Sequence, residues 1–168
     1  MAVRDVLLFP HPALKRVARP LGPEGRDDAE RVARDLLDTL AAHPGCVGLA
    51  APQLDEPVRM VVVDVSGHKK ADTSNGLVLL GNPEVVSQSG AEVAREGCLS
   101  IPHLTANVRR ATTVELTGRT PAGDPVELTS KGFEARCLLH EIAHLDGVLF
   151  LDRVDSLATD VFRRKRYK

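Results

Sequence analysis

The most chemically suggestive stretch of this 168-residue chain is His140-Glu141-Ile142-Ala143-His144. On a helix, residues four apart share a face, so His140 and His144 can turn two imidazoles toward one metal ion. Glu141 directly follows the first imidazole. It is placed to take a proton from water at the metal and pass it to a leaving amine. Helices with two ordinary histidines show the same five residues, so the third ligand decides what the pattern means. One protease arrangement puts another His six residues after the second, and here that position is Phe150. Asp152, Asp155 and Asp160 are the downstream acid candidates. Cys98, in Glu96-Gly97-Cys98-Leu99-Ser100, offers a thiolate suited to soft or borderline metals. Taken alone, it reads equally as a small buried hydrophobe. Gly97 beside it lets another backbone come close. A third segment, Gly48-Leu49-Ala50-Ala51-Pro52-Gln53, is small, apolar and turn-forming, and ends on an amide. Gln53 there either faces solvent beyond a packed turn or donates to a developing oxyanion.

These residues need a scaffold. Gly132 to Leu145 is expected to be the main buried helix, stopped by Gly147. Ala29, Val32, Ala33, Leu36, Leu37 and Leu40 recur at helical spacing, which predicts a helix over Asp27 to Ala42, ended by Pro44 and Gly45. Val58 to Val65 is β-branched and reads as a buried strand. A polar loop, Gly67 to Gly76, precedes two short strands, Leu77 to Leu80 and Glu84 to Ser87, broken around Asn82-Pro83. Ala91 to Glu96 leads into the Cys98 segment. Thr112 to Thr117 and Val126 to Leu128 are expected to pair antiparallel across a turn. Leu149 to Leu151 suggests another strand, and Ser156 to Arg166 a short amphipathic helix with a basic end. The prolines of Leu7 to Pro12 favour an extended path along the body. The sum is an α+β fold, one central helix surrounded by mostly antiparallel β-sheets, in a single domain over residues 1–168.

Composition narrows the function classes. With 22 Lys plus Arg against 23 Asp plus Glu, the formal net charge is −1, which argues against a dedicated DNA or other polyanion partner. Aromatics make up 3% and there is no Trp, so base-stacking platforms are not expected. No apolar run is long enough to span a bilayer, and the N-terminus lacks a signal-peptide pattern. Three cysteines, Cys46, Cys98 and Cys137, do not suggest a disulfide framework and suit a reducing cytoplasm.

Together and in this order, Gly48 to Gln53, Glu96 to Ser100 and His140 to His144 resemble the three motifs of the peptide deformylases. The likeness runs from Phe9-Pro10-His11-Pro12-Ala13-Leu14 to Gly147-Val148-Leu149-Phe150. It implies hydrolysis of the N-formyl group from the initiator methionine of new polypeptides, with release of formate. It also implies one divalent metal ion, Fe²⁺ natively with Zn²⁺ as the alternative, held by Cys98, His140 and His144. By the same resemblance, Glu141 is the catalytic acid/base, and Gln53 and the backbone N–H of Leu99 are the oxyanion donors. Val47, Gly48 and Gly97 line a channel where the peptide pairs as an added strand. Formylated nascent peptides are the expected partners, and the basic C-terminus, Arg163 to Lys168, reads as a solvated helix end with ribosome contact as the functional alternative. The chain departs from the family pattern at Cys46, Leu139 and Ala143. An Asp usual at 143 would pair with Arg110, which here is left to find another acid or solvent. Cys137, one turn before His140, either lines a methionine pocket or is a core thiol. Two competing readings are a zinc endopeptidase with a different third ligand and a non-catalytic binder of formyl peptides.

Overall fold

The computed structural model describes residues 3–22 and 26–164. Its organising element is the four-residue strand β2, Met60–Val63, whose side chains are all fully buried. Side chains alternate across a strand. Val61 and Val63 therefore pack into one core cluster, and Met60 and Val62 into another on the opposite face. Helix α1, Arg26–Ala41, covers the second face through Ala29, Val32, Ala33 and Leu36. Helix α2, Gly132–Leu145, covers the first through Leu138, Ile142 and Leu145. Burial on both faces explains why this strand reads as an unbroken apolar run rather than an alternating one.

One sheet has the order β1-β2-β3-β6-β7, formed by β1 Gly48–Ala50, β2, β3 Val78–Ser89, β6 Thr113–Arg119 and β7 Pro125–Lys131. The second has the order β4-β5-β8, formed by β4 Glu92–Cys98, β5 Ile101–Arg110 and β8 Val161–Arg163. Every named pairing is antiparallel. A third cluster joins Cys98, Ile101, Ala106 and Val108 of the second sheet to Leu14, Leu149 and Phe150. The α+β class and the central helix are as expected from the sequence.

Four local expectations are corrected. The two strands expected around Asn82-Pro83 are one strand, β3, with register shifts between Gly81 and Glu84 and between Val85 and Ser87. Asn82 sits at φ 48°, a conformation that Asn tolerates. Its side chain exchanges two hydrogen bonds with the backbone of Leu21, at 2.8 and 2.7 Å. Strand β5 was not expected at all. It carries Pro102 and buries Arg110 on the inward face, which breaks the apolar alternation. Phe150–Arg153 is a 3-10 helix rather than a strand, its first turn closed by Leu149 N–H donating to Asp152 at 2.9 Å. The helix expected over Ser156 to Arg166 is replaced by a turn and β8, which pairs with Leu104–Ala106 of β5. Residues 165–168 of that segment lie outside the described residues.

The N-terminal segment takes the extended path its prolines suggest. Leu7 N–H donates to Gln53 O at 2.7 Å, and Phe9 N–H to Ser100 O at 2.8 Å. It thus straps together the two loops that carry Gln53 and Cys98.

The end of α2 is fixed by a Schellman motif. Val148 N–H donates back to Ala143 O at 3.0 Å and Gly147 N–H to His144 O at 3.1 Å, with Gly147 at φ 72°. A Cβ on Gly147 would stand 2.5 Å from Lys15 O. Both the positive φ and the close backbone make Gly147→Ala costly. The expected loss is more than about 1 kcal/mol, read from the denaturant midpoint. An unchanged midpoint would show that neither constraint matters.

Candidate active site

Helix α2 and the end of β4 converge. Cys98 Sγ, His140 and His144 place their ligand atoms within 4.8 Å of one another, and Cys98 Sγ lies 3.4 Å from His144 Nε2. Among the described residues this is the one such grouping of three or more His, Cys, Asp or Glu side chains. All three residues are buried. The helix spacing aligns the two imidazoles, while the tight turn from β4 into β5, Leu99-Ser100, sets the thiol opposite them.

The other third-ligand candidates lie elsewhere. Phe150 is buried, with its ring stacked 6.0 Å from that of His140, and offers no donor atom. Asp152 pairs with Lys15 and accepts from Leu149 N–H. Asp160 accepts from Ser156 N–H. Asp155 sits at the surface, 3.8 Å from Arg109.

Glu96 orients His140. Its Oε1 accepts from His140 Nδ1 at 2.9 Å, which keeps a proton on Nδ1 and leaves Nε2 as the nitrogen a metal would take. The same carboxylate accepts Arg110 Nε at 2.8 Å, Arg110 Nη2 at 2.9 Å and Arg136 Nη1 at 2.7 Å. Arg110 therefore finds its acid in Glu96. Burial alone would raise the pKa of Glu96, but Arg110 and His140 outweigh it and hold the carboxyl well below the usual range. Arg136 belongs to this network although no motif marks it. The available signal was its position one turn before His140, a charge on the apolar face of a buried helix.

Gln53 is buried in the 3-10 helix Ala51–Leu54 that follows β1. Its Oε1 accepts from Ala50 N–H at 2.9 Å, which turns the amide nitrogen toward the site. That nitrogen donates to Ser100 Oγ at 3.0 Å and lies 3.4 Å from Cys98 Sγ. Leu99, half-buried, follows Cys98 in the turn.

Glu141 is buried, and its Oε1 has no hydrogen-bond partner among the described residues. Burial pushes its carboxyl up to about 7; His140 acts against this and Glu96 with it. Gly48 makes room for it, since a Cβ there would stand 2.8 Å from Glu141 Oε2. Val47, half-buried, packs at the edge of the α2 core, and Gly97 lies exposed on β4 between Glu96 and Cys98. Arg164 packs against Gly97 where a side chain would otherwise stand. Among the described residues β1 and β4 are edge strands of their sheets, each with a side to which no other strand pairs. Cys137 is buried in the α2 core. Burial raises its thiol pKa, which keeps it neutral.

This donor set fits a divalent metal. It combines one thiol, two imidazoles with one tautomer already fixed, and a carboxylate oxygen left without a partner. In the protein alone, burial pushes both imidazoles down. Glu141, Cys98 and Glu96 reverse this at His140 and hold it well above its usual value, while His144 stays well below. A metal must then displace a proton from His140. Apparent metal affinity is expected to fall as pH drops from 8 to 6, measured by competition with a chromophoric chelator. Equal affinity at both values would contradict the proton displacement.

Comparison with known proteins agrees with this architecture. The sequence profile of the family described as polypeptide deformylase matches residues 3–160. The peptide deformylase of Alkalilimnicola ehrlichii is 39% identical over 168 residues, spanning 100% of this chain and 91% of that protein. That of Desulfosudis oleivorans is 39% identical over 170 residues, spanning 100% and 95%. The crystal structure of a Legionella pneumophila peptide deformylase superposes with a TM-score of 0.82 at 36% identity, covering 93% of this chain and 88% of that one. The Met-Ala-Ser-bound structure from Acinetobacter baumannii gives 0.84 at 30% identity, covering 91% and 100%. By sequence and by fold, then, this chain belongs to the peptide deformylase family.

Proposed function

We propose that this chain is a metal-dependent hydrolase that removes the formyl group from N-terminal formylmethionine of newly made polypeptides, with residues 1–168 acting as one catalytic domain. The observation that carries the proposal is the convergence of Cys98, His140 and His144 beside the buried carboxylate of Glu141. Water adds to the formyl carbon, the C–N bond breaks, and formate leaves together with a free methionyl amine.

Cys98, His140 and His144 would hold the metal, Fe²⁺ natively with Zn²⁺ as the alternative. When bound, it supplies Lewis acidity and makes water a nucleophile at neutral pH. Glu141 takes the proton of the attacking water and returns it to the departing nitrogen. Its unpartnered Oε1 leaves an acceptor open for that water. Gln53 Nε2 and the Leu99 N–H donate to the oxygen that gains charge. The Ala50 N–H bond to Gln53 Oε1 keeps that amide from flipping, so the donor is preorganised. The peptide pairs as an added strand along β1 and β4, at Val47, Gly48 and Gly97. The Met-Ala-Ser bound to the Acinetobacter baumannii relative is a peptide of the kind this reaction releases.

The proposed setting is the cytoplasm, with nascent peptides as partners. Among the described residues no helix is long and apolar enough to cross a membrane. Ribosome contact by the basic end from Arg163 onward is proposed from its charge, and salt-dependent cosedimentation tests it.

The deciding experiment is formate release by metal-loaded protein from formyl-Met-Ala-Ser, beside acetyl-Met-Ala-Ser and a blocked internal peptide. Formate release with the other two intact is expected. Cleavage of the internal peptide, or formyl-peptide binding without formate, would overturn the proposal.

A further inference from the structure

A cleft lies on the side of α2 formed by Leu139, Ala143 and Asp146, with a volume of about 490 Å³. Arg109 and Arg110 of β5 and Arg153 also line it. The network behind Arg110 is unusual in charge. The buried guanidiniums of Arg110 and Arg136, 4% and 7% exposed, share the single carboxylate of Glu96. The buried acids of α2 are engaged elsewhere, Glu134 with Asn75 and Ser130 and Glu141 turned toward Gly48. Arg110 commits Nε and Nη2 to Glu96, which leaves Nη1 as the nitrogen of its fork not engaged with that carboxylate. Asp146, the one acid lining the cleft, is paired with Arg59 at 2.9 Å. Arg109 stands 3.8 Å from Asp155 with both side chains largely exposed. A buried cation short of a counter-charge therefore opens onto a cleft edged by two more arginines. Ala143 fills none of the space with polar atoms.

We infer that this cleft binds a small oxyanion with two or more negative charges, a dicarboxylate or a phosphate, seated between Arg110, Arg109 and Arg153. The planar guanidinium fork matches carboxylate and phosphate oxygens, and the volume is that of a small-molecule site. Residues 140 and 144 are rotated about a third of a turn around the helix from 139, 143 and 146, so the anion would sit beside the metal position and not on it.

The test uses the protein loaded with diamagnetic Zn²⁺ at low ionic strength, where surface charge is least screened. Backbone amide spectra are recorded during titration with succinate and, separately, with inorganic phosphate. Saturable shifts at residues 109–111, 143–147 and 153 are expected, and the anion that saturates at lower concentration identifies the acid group preferred. Ala143→Asp places a carboxylate in the cleft and is expected to weaken binding at least tenfold. Arg153→Gln, at the rim, is expected to weaken it severalfold without changing formate release in the absence of anion. Lack of saturation by both anions overturns the proposal. So do shifts centred on residues 97–99 and 140, or unchanged binding in both variants.

Discussion

Glu141→Gln is expected to keep its metal and lose about 10²–10⁴-fold in turnover of formyl-Met-Ala-Ser. The substitution preserves shape and hydrogen-bonding reach while removing the group that carries the proton. Glu141 is suited to that work because burial brings its carboxyl to about 7, close to the pH at which a proton is most easily taken and returned. Bound metal, being a cation, will draw this value down. Metal content is measured on the same sample as kcat. Full metal with wild-type kcat would remove Glu141 from the proton path. Loss of metal would make it a structural support of the ligands instead.

Glu96→Gln is the second large effect, and it reads on stability. The carboxylate of Glu96 accepts four hydrogen bonds, from Arg110 twice, Arg136 and His140. Removing one partner of a buried ion pair leaves charge without compensation and costs about 3–5 kcal/mol. Here two guanidiniums are left. His140 also loses the acceptor that fixes its ring, which is expected to weaken metal binding about 10–100-fold. The pH dependence follows from the depressed pKa of Glu96. A carboxyl held below its unfolded value stabilises the fold above that value, near 4.3, and loses this contribution as pH falls toward the folded value. Denaturant midpoints of the metal-free proteins at pH 7 and pH 3.5 test this. The gap between wild type and variant is expected to narrow at the lower pH, and a constant gap would contradict the assignment.

Much of this was legible in the sequence because local rules and burial agreed. Helix α2 carries both histidines at a spacing only a helix aligns, with Gly147 as a stop. Strand β2 declares itself as an apolar run because both faces are covered. Convergence of Cys98 on α2 is a tertiary fact; only the joint presence of three motifs suggested it. Strand β5 escaped detection because its inward residues include Arg110 rather than an aliphatic. The C-terminal segment has helical periodicity, yet Val161–Arg163 gains more by pairing with β5. Propensity yields there to an available sheet edge. Glu96 stood inside a recognised motif, but its partners come from β5 and α2, 14, 40 and 44 residues away. No local pattern encodes such a network.

The most direct test of the account is X-ray absorption at the metal edge of anaerobically purified protein, compared with Cys98→Ala. One sulfur and two imidazole nitrogens are predicted around the metal in the wild type, with metal lost from the variant. A spectrum without sulfur, or a variant that holds its metal with an unchanged spectrum, would contradict the thiolate-and-two-imidazole site on which the chemistry depends.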